Sequence, residues 1–364
     1  MKILVINTCP FFNDGITNVI MNLQGSINQE EFQMDLVVVA EPSSAFIEKM
    51  QKRNCRVYYH ERSMKQVLNY VHWLAQLIKK NRYDVVHIHG NSHTTVLELF
   101  SAFMAGCKTR IVHAHNTFCK EKAIHLLMTP VFNILCTERL ACGNAAGVFM
   151  HGKHKFHVIN NGINTERFRF NAQNRREIRE HLGLRDRYII GHIGTLYNEQ
   201  KNQEFIFKIL SEVKTIRDNA HFCLVGDGED RKRFEMMVSE IGISDIVSFV
   251  GAVDDVAPYL SAFDVIAMPS KYEGLPLSLI EEQANGLTCI VSNVITQEVD
   301  KTGNVKFLSL SNAESSWIDK LGEIEMLEDR CEKSNAAIKN ISDNGYSIEE
   351  ETRKLERIYL NSKK

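Results

Sequence analysis

In the stretch KYEGLPLSLIEEQANG, residues 271–286, Glu273 and Glu281 stand eight positions apart, with a glycine, a proline and an apolar block between them. Pro276 suits the first position of a helix, where its missing N–H costs nothing. Gly286 suits the position just past the helix end. One carboxylate therefore precedes the helix and the other lies inside it, about 7–8 Å down the axis. The free N–H groups of Leu277 and Ser278, with the helix dipole, favour a phosphate at the helix start. A carboxylate to either side can accept hydrogen bonds from vicinal hydroxyls. A ligand with a diphosphate in its middle and a hydroxylated ring at each end, such as a nucleotide sugar, fits that layout. Glu282 projects about 100° away round the helix and reads as an ordinary solvated carboxylate.

Histidine is the second unevenly placed residue: 11 of 14 precede residue 165. In HIHGNSH (87–93) and HAHN (113–116), His87 and His89 share one face of a strand, as do His113 and His115. Zinc can use such pairs, but no Asp, Glu or Cys stands beside them at ligand spacing. The nine cysteines contain no C-x-x-C pair, which argues against a disulfide framework or a zinc knuckle and for small buried apolar residues.

The elements that must position these residues are short apolar runs alternating with amphipathic stretches. In the first half the runs are KILVIN (2–7), MDLVVVA (34–40), RVYY (56–59), DVVHIH (84–89), TRIVHAH (109–115), LACG (140–143) and FHVINN (156–161). Helices are predicted between them over 16–23, 64–80 and 95–104. The second half repeats the pattern in YIIGHIG (188–194), HFCLVG (221–226), IVSFVG (246–251), DVIAMPS (264–270) and TCIVSN (288–293). Its predicted helices are 202–216, 230–241, 256–262 and 276–285. Continuous Val and Ile runs suit parallel sheets buried on both faces. Two blocks of strand–helix alternation predict two doubly wound α/β domains, which bind ligands at the carboxyl ends of their strands. NNGINTERFRF (160–170) is the expected linker. The tail, 347–360, reads as an amphipathic helix with Ile348, Leu355, Ile358 and Leu360 on its apolar side.

A length of 364 residues, 44% hydrophobic and 24% charged, suits a globular protein of two domains. No run approaches the roughly 18 apolar residues of a membrane span. The first apolar run is too short for a signal peptide, so a cytoplasmic protein is expected. The net charge is −2 but unevenly divided. Residues 1–165 hold 17 Lys+Arg against 11 Asp+Glu, a balance of +6, which leaves −8 for the remainder. A basic first half suits an anionic partner such as a phosphate-bearing lipid or a membrane surface. No basic run interleaved with aromatics points to nucleic acid.

PSKYEGLPLSLIEEQANG (269–286) resembles the signature of the family 4 retaining glycosyltransferases, also called glycosyl transferases group 1. Their hallmark is a pair of glutamates with seven residues between, which Glu273 and Glu281 match. ERLACGNAAGVFMHG (138–152), VINNGINTERF (158–168), EQKNQEF (199–205) and VGDGE (225–229) are similar to further family segments, so the resemblance spans nearly the whole chain. Within the family the chain is most similar to bacterial enzymes of capsular and exopolysaccharide synthesis.

The resemblance implies the GT-B fold: α/β, two facing doubly wound Rossmann-like domains, with a C-terminal helix crossing back to the first. Residues 1–165 would form an acceptor-side domain, completed by a helix over about 346–364, and residues 166–345 the donor-binding domain. It implies Glu273 at the transferred sugar, Glu281 on the ribose hydroxyls, and the N–H groups of Leu277 and Ser278 on the distal phosphate. It implies Gly15, in the turn FNDGITNVI, beside the diphosphate, with Asp14 in place of a second glycine. Lys201 would neutralise the diphosphate. The family's arginine on the same loop is replaced by Thr195, which brings no charge. His115 would lie under the donor sugar, and His113 would be structural.

The implied activity is retaining transfer of a sugar from a nucleoside diphosphate sugar to a glycan or lipid-linked acceptor. Glu273, Lys201 and His115 would be catalytic, without metal or cofactor, the nucleotide sugar being a co-substrate. Partners would be a polyprenyl-phosphate-linked or glycan acceptor and, through the first domain, the inner face of the cell membrane. Two alternatives share the architecture: a sugar-nucleotide epimerase, and a non-catalytic partner subunit favoured by Thr195. A dinucleotide oxidoreductase is disfavoured because no G-x-G-x-x-G follows the first strand.

Overall fold

The Val-, Ile- and Leu-rich runs form thirteen strands in two sheets of a computed structural model that describes residues 1–9, 15–120, 122–324 and 329–362. The chain divides into two compact units, one of Met1–Gly162 with Gly345–Lys364 and the other of Ile163–Asn344.

Unit 1 holds strands β1 (Lys2–Asn7), β2 (Gln33–Val38), β3 (Val57–Tyr59), β4 (Val85–His89), β5 (Thr109–Ala114), β6 (Glu138–Ala141) and β7 (His157–Val158). They pair in parallel in the order β3-β2-β1-β4-β5-β6-β7. Unit 2 holds β8 (Tyr188–Ile193), β9 (Ala220–Val225), β10 (Val247–Gly251), β11 (Val265–Met268), β12 (Thr288–Ser292) and β13 (Val305–Leu308), in the order β10-β9-β8-β11-β12-β13, also parallel. Both are doubly wound sheets. The strand order reverses between β1 and β4 in one and between β8 and β11 in the other, and such switch points open a crevice beyond the strands' carboxyl ends.

Each unit has its own core. Leu4, Ile6, Val37, Tyr70, Leu74 and Phe132 contribute to one, and Tyr188, Ile190, Phe207, Phe222, Phe234 and Trp317 to the other. The stretch 160–170 is well packed for a connector, with Ile163 and Phe168 buried.

The C-terminal helix Ile348–Asn361 belongs to unit 1. Its Tyr359 hydroxyl lies 2.6 Å from His87 Nδ1, and the Glu351 carboxylate accepts the Asn160 N–H at 2.8 Å. Its buried stripe is Ile348, Glu351, Thr352, Leu355 and Tyr359. Leu360, expected on that stripe, is exposed, and Tyr359 takes its place. The sequence pattern also missed several helices, among them Lys122–Leu135 and Arg330–Asp343.

Candidate active site

The unit 2 residues expected to do chemistry gather beyond the carboxyl ends of β8 and β11. β8 runs into Gly194 and Thr195, followed by the short helix Asn198–Lys201. Asn202, left-handed at φ 56°, ψ 39°, turns the chain into the helix Gln203–Ile216. The turn is anchored: Asn202 Nδ2 donates to the Pro269 carbonyl at 3.0 Å, and Gln203 Nε2 to the Thr195 carbonyl at 2.9 Å. The VGDGE segment supports this loop from the far side. A Cβ on Gly226 would stand 2.0 Å from the Gly194 carbonyl oxygen, so only glycine permits the approach.

β11 runs into Pro269–Glu273. The backbone N–H of Lys271 donates to the Gln200 carbonyl at 2.8 Å, joining the two loops. Lys201 Nζ lies 2.6 Å from Glu273 Oε1, with the side chains 17% and 8% exposed. Gln200 Nε2 donates to Glu273 Oε2 at 3.3 Å. Nothing in the sequence singled out Gln200, one more polar residue in a polar loop. Thr195 is exposed and adds no charge here. The other ammonium on this edge is Lys271, whose Nζ donates to the Asn198 carbonyl at 3.4 Å.

The helix spans Leu277–Ala284. Pro276 is its N-cap and not its first residue: its φ −71°, ψ 109° is extended, which corrects the sequence reading by one position. The consequence for chemistry is small, because the N–H groups of Leu277 and Ser278 still lead the helix with no preceding turn of carbonyls to accept them. Gly286 closes the helix at φ 75°, where an added Cβ would also meet the Ser334 nitrogen at 2.8 Å.

The two neighbouring glutamates differ from expectation. Glu281 is half-buried, and burial pushes its carboxyl up to about 7, with the nearby Asp255 charge adding to the rise and Arg167 opposing it. Arg167 pairs with Asp255 at 2.8 Å. Glu282 is not a solvated surface residue. It is fully buried, and neither carboxylate oxygen has a hydrogen-bond partner among the described residues. Burial drives its proton affinity far up, with the charges of Glu281 and Glu273 adding and Lys201 opposing, so the group is held neutral. The cause is packing. The helix is wedged between its own sheet and helix Arg330–Asp343, so Leu279, Ile280, Glu282, Gln283 and Ala284 are all buried.

In unit 1, Gly15 is the first residue of helix Gly15–Ser26 following β1, while Asp14 lies outside the described residues. The histidines form one stack across adjacent strands, because β4 and β5 pair His89 with His113. Ring centroids are 4.4 Å apart for His87–His89, 5.0 Å for His89–His113 and 4.4 Å for His113–His115. Burial pushes all four imidazoles below their ordinary range, His87 and His115 to about 3. They are neutral at physiological pH. Ring nitrogens of His87, His89 and His113 lie within 4.8 Å of one another. His115 Nε2 is 2.8 Å from His89 Nδ1, so this ring is turned into the stack.

The comparisons agree with this geometry. Residues 13–167 match the model of Glycosyltransferase Family 4, and residues 187–325 that of Glycosyl transferases group 1. EpsF of Bacillus subtilis, named as a glycosyltransferase, is 31% identical over 322 residues, covering 84% of this chain and 83% of its own. The Escherichia coli UDP-Gal:alpha-D-GlcNAc-diphosphoundecaprenol alpha-1,3-galactosyltransferase is 30% identical over 333 residues, covering 84% and 81%. Among solved structures, Anabaena HepE in complex with UDP superposes with a TM-score of 0.77 at 16% identity, covering 99% of this chain and all of that one. The chain therefore belongs to glycosyltransferase family 4. It has the GT-B type of fold and is a glycosyltransferase, moving a sugar from an activated donor to an acceptor.

Proposed function

We propose that the donor is a uridine diphosphate sugar, that the acceptor is a saccharide on a polyprenyl diphosphate, and that the product feeds a cell-surface polysaccharide at the inner face of the membrane. The observation that carries this reading is the Lys201–Glu273 pair, set beside the open start of helix Leu277–Ala284 at the β8/β11 switch point. Support for uridine and for a lipid-linked acceptor comes from the names of the E. coli relative and of the HepE complex.

In this reading the pair exchanges partners on donor binding. The diphosphate takes the Lys201 ammonium and the N–H groups of Leu277 and Ser278, while Glu273 turns to the sugar hydroxyls. As the bond from the anomeric carbon to the diphosphate oxygen breaks, negative charge grows on the leaving group, where Lys201 and the helix start are already placed. The acceptor oxygen bonds to the same face of the sugar, and its proton passes to the departing diphosphate. Glu281 accepts the ribose hydroxyls. The parts that family resemblance gives to Gly15 and His115 complete the proposal. His115, being neutral, does not repel a sugar that becomes positive. The diphosphate's charge is met by Lys201 and backbone dipoles, so the reaction is assigned no metal.

Calorimetry with UDP-, GDP- and ADP-sugars, followed by transfer to a synthetic polyprenyl-diphosphate saccharide, tests this reading. Micromolar binding confined to UDP-sugars is expected, and preference for another base refutes the donor assignment. The exposed, uncharged Thr195 favours a second reading, a donor-binding subunit without turnover. Thr195→Arg separates the two: it raises a slow transfer rate if the chain is catalytic and leaves zero at zero if it is not.

A further inference from the structure

The transfer reaction asks for one of the four stacked histidines, His115, and leaves His87, His89 and His113 without a task. The four arise from two alternations, HIH along β4 and HAH across the end of β5, which set the rings on one face of the sheet. His87 and His113 have no exposed surface, and His89 is 1% exposed. Among the described residues, His87 Nε2, both nitrogens of His113 and His115 Nδ1 are buried with no hydrogen-bond partner. The Ile159 carbonyl pulls weakly on the His113 proton but stands outside hydrogen-bond geometry. Each neutral imidazole carries one N–H and one lone pair, so the cluster holds lone pairs that nothing uses. Leucine or phenylalanine would fill the space without that cost. Buried polar groups left over in this way call for an ion or a water.

One ring nitrogen from each of His87, His89 and His113 lies within 4.8 Å of the other two. A tetrahedral zinc ion with bonds of about 2.0–2.1 Å sets its nitrogens about 3.4 Å apart, so each nitrogen has to move inward by less than about 1 Å as its ring turns out of the stack. Two of the three rings are already held from behind. His87 Nδ1 lies 2.6 Å from the Tyr359 hydroxyl, and His89 Nδ1 lies 2.8 Å from His115 Nε2. The other nitrogen of each is left for an ion, and a ligating imidazole is normally steered through its second nitrogen in this way. For His113, a turn that brings one N–H to the Ile159 carbonyl frees the lone pair of the other nitrogen. Among the described residues no Asp, Glu or Cys joins the set. Three imidazoles suit zinc and not magnesium or calcium, which take oxygen ligands. The fourth position falls to a water or hydroxide. Burial keeps the three rings unprotonated at physiological pH, so no proton competes for the lone pairs. The way in is beside His115, the half-buried member of the stack, at the carboxyl end of β5.

We propose that His87, His89 and His113 bind one zinc ion beneath helix Ile348–Asn361, as a structural site that takes no step in sugar transfer. The ion ties β4 and β5 to that helix through Tyr359. Through His89 Nδ1–H it also fixes His115 as the tautomer that carries its proton on Nδ1. The test uses the full chain without an added histidine tag, stripped with a chelator and titrated with zinc against a chromophoric competitor. Wild type is expected to take one equivalent with a Kd below about 1 µM and to melt at a higher temperature once loaded. X-ray absorption of the loaded wild type is expected to show three imidazoles at about 2.0–2.1 Å. His113→Phe, which removes a ligand, is expected to weaken binding at least about a hundredfold. Tyr359→Phe is expected to weaken it about ten- to a hundredfold, as loss of a group steering a ligand does; a tyrosine that only packs the helix would leave zinc affinity unchanged. His154→Ala, at an exposed histidine, should change nothing. Wild type that takes no zinc at micromolar concentration overturns the site, as does a His113→Phe variant that binds as wild type does. So does zinc that is lost with His154→Ala, which marks adventitious surface binding. Where His113→Phe fails to fold, the wild-type absorption spectrum decides: a shell dominated by oxygen or sulfur overturns the assignment, and three imidazoles uphold it.

Discussion

If Glu281 accepts the ribose hydroxyls, donor affinity must vary with pH by an amount that its surroundings set. A carboxylate accepts a hydroxyl's hydrogen bond more strongly than a carboxylic acid does, by about 1–1.5 kcal/mol per bond. Two ribose hydroxyls therefore favour the ionised form by roughly 30- to 150-fold. In the free protein, burial holds this carboxyl at about 7. It is then about 90% ionised at pH 8 and about 10% at pH 6. The apparent affinity should fall about eight- to tenfold across that interval, and binding at pH 7 should release about half a proton. UDP-glucose is the suitable probe, because its doubly esterified diphosphate does not titrate in this range whereas the terminal phosphate of UDP does. Calorimetry in two buffers of different ionisation enthalpy gives both the affinity and the proton count. Glu281→Gln should bind about four- to fifteenfold more weakly than wild type at pH 6 and show a flat profile. A flat wild-type profile, or a Glu281→Gln profile with the wild-type slope, refutes the ribose assignment.

Glu282→Met should stabilise the protein by about 1–3 kcal/mol at pH 4, and by more at pH 7, since it removes a buried carboxyl with no partner among the described residues. The sign with pH is fixed by the raised proton affinity of the folded state. Wild-type stability is complete below the unfolded value near 4.3 and falls by about 1.4 kcal/mol per pH unit above it, until the folded group itself ionises. Thermal melts at pH 5 and pH 8 should show the gap between variant and wild type widening, and a constant gap would mean that the carboxyl is solvated. Gly286→Ala combines a left-handed backbone with a clash at the Ser334 nitrogen, so urea unfolding should register a loss of more than about 2 kcal/mol. Lys201→Met should lower transfer on the order of 10²- to 10³-fold, as loss of a donor aimed at a leaving group does; a change in KM alone would mean that it only binds.

The legible parts of this molecule were those fixed by local chemistry. β8 and β11 could be read because buried parallel strands are continuous apolar runs, and the helix between Pro276 and Gly286 because proline and glycine bracket it. Helix Lys122–Leu135 could not be read, because most of its apolar residues lie outside, its inner face sets a histidine beside Phe132 and Leu135, and Pro130 interrupts the pattern. The histidine pairs could be placed on strand faces, but their stacking depends on the register of β4 against β5, which no single segment contains. Glu282 was misjudged for a related reason: periodicity assumes one buried face, and helix Arg330–Asp343 supplies a second.

That misjudgement bears on the exchange of the family's arginine for Thr195. Counted from sequence, Glu273, Glu281 and Glu282 face Lys201 alone, a local balance of −2 on which an anionic donor would bind poorly. The structure changes the count chiefly through the acids. Burial keeps Glu282 uncharged and leaves Glu281 about half ionised at pH 7. Glu273 is already matched by the Lys201 ammonium at 2.6 Å. The surroundings offered to a diphosphate are therefore near neutral, with the dipole of helix Leu277–Ala284 as the field beyond that pair. On this argument Thr195 weakens the site less in this chain than it would beside ionised carboxylates. Thr195→Arg should then raise turnover by a larger factor in wild type than in a Glu282→Ala background only if Glu282 does carry charge; equal factors in both backgrounds are the expected result, and unequal factors would show the buried acid ionised.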